Sequence, residues 1–219
     1  MDSGYRKRAG LMASVGLAIP VVTTLTYMLA LSALSTDAYY NERWSDVVSV
    51  WLTEVIGFAI GMIAALGLAS QPGSEKATWN AVACGGLFGI VSTAIGIGLF
   101  KGFGTAGDQF DDLTNAIVNL SFFFYFLSKS LIGAGIAGVG VELLRRGAFF
   151  GKAVGLLAGL TGLAAVVVNV AAMATGTELV MPGGVTGTLA GATGAVAVLV
   201  VTRLPRSVID KKDGTGTSV

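Results

Sequence analysis

The chain has 219 residues, of which 53% are hydrophobic and only 12% are charged, and its mean hydropathy is +0.76. An ordinary soluble domain carries about 25% charged residues, so this composition excludes a soluble globular protein and predicts an integral membrane protein, with the lipid bilayer as its first partner. The formal net charge of +1 gives no reason to expect nucleic acid as a partner. A single cysteine excludes an internal disulfide.

Six apolar runs follow one another along the chain, each long enough to cross about 30 Å of hydrocarbon as a helix. They cover residues 9–34, 47–70, 79–100, 115–144, 151–175 and 183–202. The first run follows a basic start, but it is too long for a signal peptide, so we expect it to be retained as a helix. The sequence therefore predicts an all-α integral membrane protein, a bundle of six transmembrane helices with short loops. Residues 1–8 precede this transmembrane domain, which covers residues 9–204, and residues 205–219 form a polar tail.

Lysine and arginine are distributed unevenly between the loops. With the amino terminus in the cytoplasm, eleven of the fourteen basic residues lie on the cytoplasmic side, and only Arg43 and Lys101 face outward. Basic residues concentrate in the cytoplasmic loops of multi-pass proteins, and an even number of spans returns the chain to its starting side. We therefore predict a multi-pass protein of the cell membrane with both termini in the cytoplasm.

Glycine is about twice as frequent as in an average protein, with 32 residues, and it recurs at four-residue intervals inside the apolar runs. Small residues at this spacing let helix backbones approach closely, which favours helix association in lipid. The predicted packing faces consist of Gly57, Gly61, Gly85, Gly89, Gly151, Gly155, Gly159, Gly183, Gly187 and Gly191. Because four spans carry such a face, we expect some of them to contact another membrane subunit or a second copy of the chain.

A lysine, Lys129, lies near the middle of the fourth apolar run. An ionisable side chain at membrane depth costs about 2.5–3.5 kcal/mol on insertion scales and normally has a partner. Glu54 lies at a similar distance from its own cytoplasmic helix end, roughly 24 Å at the helical rise, so we expect the two residues to form a direct ion pair. Polar residues at or near the same depth are Thr24, Tyr27, Thr93 and Asn169.

An aromatic run, residues 122–126, precedes this lysine. Tyr125 and Phe126 lie four and three residues before Lys129, so they share its helix face and predict a cation–π contact. An aromatic run is also typical of the belt that anchors a helix at the membrane interface. Both interpretations stay open at this point.

The chain contains no histidine and one cysteine, which removes the usual ligands of zinc, haem and iron–sulfur sites and the commonest general base. We therefore predict no metal, no cofactor and no enzymatic activity. We favour a non-catalytic membrane protein that packs through its glycine-rich helix faces as a subunit of a homo-oligomer or a larger membrane complex, with Glu54 and Lys129 as an internal clamp. The alternative is a small-solute or ion transporter or channel with a polar site at Glu54, Lys129 and Asn169.

Overall fold

The computed structural model describes residues 3–36, 38–71, 75–106 and 110–204; the predicted polar tail at residues 205–219 lies outside the described residues. The described residues form helices and contain no strand, which confirms the all-α class. The six α-helices are α1 (Ser3–Ala30), α2 (Trp44–Ala69), α3 (Lys76–Gly104), α4 (Asp111–Arg146), α5 (Phe149–Thr175) and α6 (Val180–Arg203). A π-helical turn at Ala38–Glu42 precedes α2, and a 3-10 turn at Gly176–Leu179 joins α5 to α6.

Five helical segments among the described residues are long and apolar enough to cross a membrane, which supports the membrane-protein class. They are Gly4–Ala30, Trp44–Ala69, Lys76–Gly104, Asp111–Arg146 and Phe149–Arg203. The fifth segment contains both α5 and α6, and it folds back on itself: Thr161 hydrogen-bonds Thr193, and Asn169 donates to Thr186. The later residue of α5 is paired with the earlier residue of α6, so the two helices are antiparallel. The reversal uses Gly176, whose φ of 71° lies in the left-handed region that favours glycine.

Helix boundaries extend beyond most of the predicted apolar runs. α1 begins at Ser3 and takes in the basic start of the chain, and α4 reaches from Asp111 to Arg146. Hydropathy marks only the part of a helix that meets hydrocarbon, whereas backbone hydrogen bonding continues into its polar ends. In α4 those ends carry acidic residues in the first turn and arginines in the last, which complements the helix dipole. At the carboxyl end, α1 stops at Ala30, four residues before its predicted end, and α2 stops at Ala69, one residue before its own.

Five helices form a closed ring in the order α1, α2, α3, α4 and α6, and α5 packs outside this ring against α4 and α6. Gly187 lies against Lys129 and Gly194 lies against Ile136, so α4 and α6 run parallel. The other ring neighbours are antiparallel. We call the end of the ring where α1 begins and α6 ends the terminal end, and the opposite end, which holds the Ala38–Glu42 turn, the far end.

The half of the ring next to the terminal end is a hydrophobic core. Its fully or nearly fully buried members include Ala13, Leu17, Ala65, Val82, Ile136, Val139, Val198 and Val201. A charged network closes this end: Arg6 donates to the carbonyls of Val201 and Leu204 at 3.0 and 3.2 Å. Glu142 lies 3.9 Å from Arg6 and 3.3 Å from Arg146, so α1, α4 and α6 are joined by polar contacts.

Most of the predicted glycine faces pack within the chain. Added methyl groups would lie within 3 Å of Ile19 and Pro20 at Gly57 and of Ile132 at Gly85. Gly61 faces the backbone of Gly16, which brings α1 and α2 into close approach. Gly155 meets α4, whereas a methyl group at Gly159 would meet nothing within 4 Å and one at Gly151 only touches its neighbours at 4.0 Å. Pro20 lies inside α1, which stays helical on both sides of it.

Candidate functional site

The site begins with two helix faces that point into the ring. Trp51, Glu54 and Phe58 follow one another at intervals of three and four residues, which places them on one face of α2. Tyr125 and Lys129 share a face of α4 in the same way. The ring encloses both faces, so Glu54 is only 8% exposed and Lys129 only 4%. A carboxylate and an ammonium group are therefore held in the interior of the bundle.

These two charges interact electrostatically, but they are not in contact. The ion pairs within 4.0 Å among the described residues are Arg6–Glu142, Arg43–Asp46 and Arg146–Glu142, and the expected direct pair of Glu54 with Lys129 is not formed. The Lys129 ammonium nitrogen instead lies 5.1 Å from the centroid of the Tyr125 ring and 5.6 Å from that of Phe58. A desolvated cation–π contact contributes up to about 2 kcal/mol. The predicted contact with Tyr125 is confirmed, and Phe58 takes the place expected of Phe126.

The Glu54 carboxylate is incompletely partnered. Its Oε1 atom is buried and makes no hydrogen bond to any described residue. The Thr24 hydroxyl on α1 and the Lys129 ammonium are the polar groups that act on the carboxylate. A buried charge that lacks hydrogen-bond partners is costly. Such a group is therefore a reasonable anchor for a bound molecule.

A cavity of about 310 Å³ adjoins Glu54 in the far half of the ring. All five ring helices line it, and the described part of α5 contributes no lining residue. The lining residues are Thr24, Tyr27, Met28, Ser32, Trp51, Glu54, Ser92, Thr93, Gly96, Phe100, Ser121, Phe122, Tyr125, Val180, Met181 and Gly184. The structure thus brings four of the six predicted polar-site residues, namely Thr24, Tyr27, Glu54 and Thr93, to one cavity.

Lys129 lies on the other side of the aromatic contacts. It lines a second cavity of about 20 Å³, together with glycines of α1, α2, α3 and α6. This volume is about that of one or two water molecules by the same measure. Glu54 therefore borders the larger cavity, whereas Lys129 borders a space that holds little more than water. Below this small cavity lies the hydrophobic core of the terminal half.

Three glycines leave room for the side chains of the site. A methyl group added at Gly96 would lie 2.7 Å from the Trp51 ring, and one at Gly89 would lie 2.6 Å from the Phe58 ring. At Gly187 it would lie 2.7 Å from Cδ of Lys129. Gly89 and Gly187, predicted as helix-packing residues, thus accommodate the side chains of Phe58 and Lys129 from neighbouring helices.

Aromatic side chains cover the cavity at the far end. The Tyr27 and Tyr39 hydroxyl groups are 3.2 Å apart, and the Trp44 ring centroid lies 6.1 Å from Tyr39 and 6.0 Å from Trp51. Burial raises the pKa of the Tyr39 phenol, so this group stays protonated at neutral pH and can donate a hydrogen bond. Met181, at the rim, is 60% exposed. Aromatic side chains thus cover one side of the cavity, and the exposed Met181 borders another side.

Asn169 does not join the other predicted site residues. It is fully buried between α5 and α6, where its Nδ2 atom donates to the Ala165 carbonyl at 2.8 Å. Weaker contacts of 3.4 Å reach the Gly183 carbonyl and the Thr186 hydroxyl. Gly183 also packs against Phe126, so Asn169 connects α5 to the ring rather than lining the large cavity.

Sequence reasoning singled out Tyr27 and Tyr125 but missed the other aromatic residues and the serines of the site, namely Trp51, Phe58, Phe100, Ser92 and Ser121. Trp51 carries a signal, since it precedes Glu54 by three residues and shares its face. Ser92 and Ser121 carry none, because their importance depends on pairing between two helices: each hydroxyl donates to the other residue's carbonyl, at 2.8 and 3.0 Å.

The described residues contain no group of three His, Cys, Asp or Glu side chains that could hold a metal ion. No protein-family model, curated protein or solved structure matches this chain. A function for the site therefore has to rest on its geometry and chemistry.

Proposed function

We propose that this chain is a multi-pass protein of the cell membrane that binds a small solute or ion in the cavity next to Glu54 and carries it across the bilayer. In this proposal α1 to α6 are six spans and both termini are cytoplasmic, so the far end faces outward. The antiparallel arrangement of α5 and α6 supports six spans, and the excess of lysine and arginine at the terminal end supports the orientation. The proposal includes no catalytic step and no cofactor.

The observation that carries the proposal is the cavity of about 310 Å³ with an incompletely partnered carboxylate in its wall. A structural clamp requires a close pair in dry surroundings, because only good geometry repays the desolvation of two charges. Here Glu54 and Lys129 are not in contact, and the carboxylate borders a space large enough for a small molecule. This arrangement favours a binding site over a clamp.

The two halves of the ring suggest how such a site would operate. The far half holds the large cavity, whereas the terminal half contains the hydrophobic core, with the polar contacts of Arg6, Glu142 and Arg146 at its end and a smaller cavity of about 180 Å³ between α3 and α4 beside them. A carrier alternates between states that open a central site to one side at a time. The present arrangement corresponds to the outward-facing state of such a cycle, with the aromatic contacts of Lys129 as the inner barrier.

Cysteine accessibility tests this proposal directly. In a Cys84→Ser background, which removes the only cysteine of the chain, Thr93→Cys places a thiol in the cavity and Ala13→Cys places one in the hydrophobic core. A membrane-impermeant methanethiosulfonate reagent added to intact cells should modify Thr93→Cys and spare Ala13→Cys. An unreactive Thr93→Cys, or equal modification of both variants, would contradict an outward-facing aqueous cavity.

The subunit hypothesis has less support than the sequence suggested. Most of the glycine faces pack inside the chain, so they do not require a second subunit. Native mass spectrometry of the protein extracted with its lipids tests this function separately. A defined oligomer or co-purifying chains would support it, and a lone chain of 22.2 kDa would count against it.

A further inference from the structure

We infer that the preferred occupant of the large cavity is a small organic cation, with its positive group directed to Glu54 and an apolar body against the aromatic wall. This inference rests on the proposed function and adds the chemical class of the substrate. Three features of the lining residues support it: the sign of the charge, the aromatic surface and the state of the hydroxyl groups.

The ionisable group that meets the cavity is an acid, Glu54. Glu54 is the only ionisable acid or base at neutral pH among the described lining residues. Lys129 is not among the lining residues of this cavity: its ammonium nitrogen lies over the Phe58 and Tyr125 rings, and the residue lines the smaller cavity instead. A ligand that enters from the far end therefore meets the carboxylate before the ammonium. Opposite charge at close range in a low-dielectric site favours a cation.

The aromatic wall suits an organic rather than an inorganic cation. Five rings line the cavity, those of Tyr27, Trp51, Phe100, Phe122 and Tyr125. Ring faces attract cations, and they bind the apolar parts of a ligand by burial. A divalent metal ion would instead need several oxygen ligands, whereas the described lining supplies one carboxylate. The volume of about 310 Å³ falls at the lower end of small-molecule sites.

The hydroxyl groups of the wall are largely committed to backbone carbonyls. Ser92 and Ser121 donate to each other's carbonyl oxygens, and Thr93 donates to the Gly89 carbonyl at 2.8 Å. Their oxygen atoms can still accept a hydrogen bond, but their protons are already used. An anion or a polyhydroxylated solute needs donors from its site, so this wall favours a ligand that donates, such as an ammonium group.

Three probes that share a phenyl group and differ in charge test the inference: 2-phenylethylammonium, 2-phenylethanol and phenylacetate. Binding to the full chain in detergent is measured by calorimetry and by protection of Thr93→Cys from modification. We expect the ammonium probe to bind at least about tenfold more tightly than the alcohol, as a charge-assisted contact with a buried carboxylate implies, and phenylacetate to bind most weakly. Glu54→Gln should abolish this preference, and Glu75→Gln, which removes an exposed carboxylate at the terminal end, should retain it.

A second variant covers the case in which Glu54→Gln fails to fold. Trp51→Leu removes one ring of the wall and should weaken binding of the ammonium probe severalfold while it affects the alcohol less. Equal binding of the ammonium and alcohol probes, or a preference that survives Glu54→Gln, would overturn the cation assignment but leave a solute-binding cavity intact. If no probe binds although Thr93→Cys is modified, the assignment also fails. If Thr93→Cys is not modified at all, the proposed function itself fails.

Discussion

Glu54 and Lys129 lie inside the same ring of helices, yet the lysine ammonium is held by the Phe58 and Tyr125 rings and not by the carboxylate. The two charges still act on each other through the interior of the protein. In this separated arrangement Oε1 of Glu54 is buried and has no hydrogen-bond partner among the described residues, while the residue itself borders the large cavity. The arrangement differs from a clamp, in which each charge would complete the other.

The coupling between the two charges can be measured with a double-mutant cycle. Lys129→Met keeps the length of the side chain and removes its charge, so Glu54 loses its only nearby cation among the described residues. We expect a loss of stability of about 2–3 kcal/mol, somewhat below the cost of breaking a buried contact pair. The double variant with Glu54→Gln should recover part of this loss, as measured by thermal unfolding in detergent. Strictly additive losses would show that the charges do not interact.

Two glycines of α3 provide a matched test of the space around Trp51. A methyl group at Gly96 would overlap the Trp51 ring, whereas one at Gly98 would meet nothing within 4 Å. Gly96→Ala should therefore destabilise the protein by about 1–3 kcal/mol and shift the tryptophan emission. Gly98→Ala should be neutral or stabilise the helix by up to about 1 kcal/mol. Thermal unfolding of both variants in detergent measures these changes in stability. Equal stability of the two variants would show that the space at Gly96 is not required by the Trp51 ring.

The polar contacts at the terminal end predict a specific role for Arg6. Its guanidinium group donates to two carbonyls at the end of α6 and lies near Glu142. Arg6→Gln should lower the stability by about 1–3 kcal/mol, the range of hydrogen bonds to a charged group, and should increase hydrogen exchange in the last turn of α6. The exposed neighbour Lys7 is the control, and Lys7→Gln should change neither quantity. Unchanged exchange in Arg6→Gln would contradict this role.

Asn169 should matter for the position of α5 and not for the cavity. Asn169→Ala removes the buried donor that connects α5 to α6, and we expect a loss of about 1 kcal/mol. The exposed Asn80→Ala serves as the control and should be nearly neutral. Modification of Thr93→Cys should be the same with either substitution. If Asn169→Ala strongly changed the thiol modification of Thr93→Cys, Asn169 would belong to the cavity site, contrary to this prediction.

Much of the architecture follows from local sequence properties. Apolar runs of sufficient length predict helices, because in hydrocarbon a helix satisfies its own backbone hydrogen bonds, and all six runs correspond to helices in the structure. The prediction of the exact ends was less accurate, since hydropathy says nothing about polar turns that remain helical. Glu54, Thr24, Tyr27 and Thr93 were predicted to share a depth from helical rise alone, and they line one cavity.

What the sequence by itself determined is therefore the all-helical class, the succession of long apolar helices and the positions of the polar residues along them, because each depends on composition and on rise along a single helix. Only the tertiary structure decided that α5 lies outside the ring, that Asn169 is separated from Glu54, and that Lys129 rests on aromatic rings. These relationships depend on how each helix is rotated and which helix is its neighbour. The glycine pattern alone left both undetermined, since small residues permit close approach to any partner and select none.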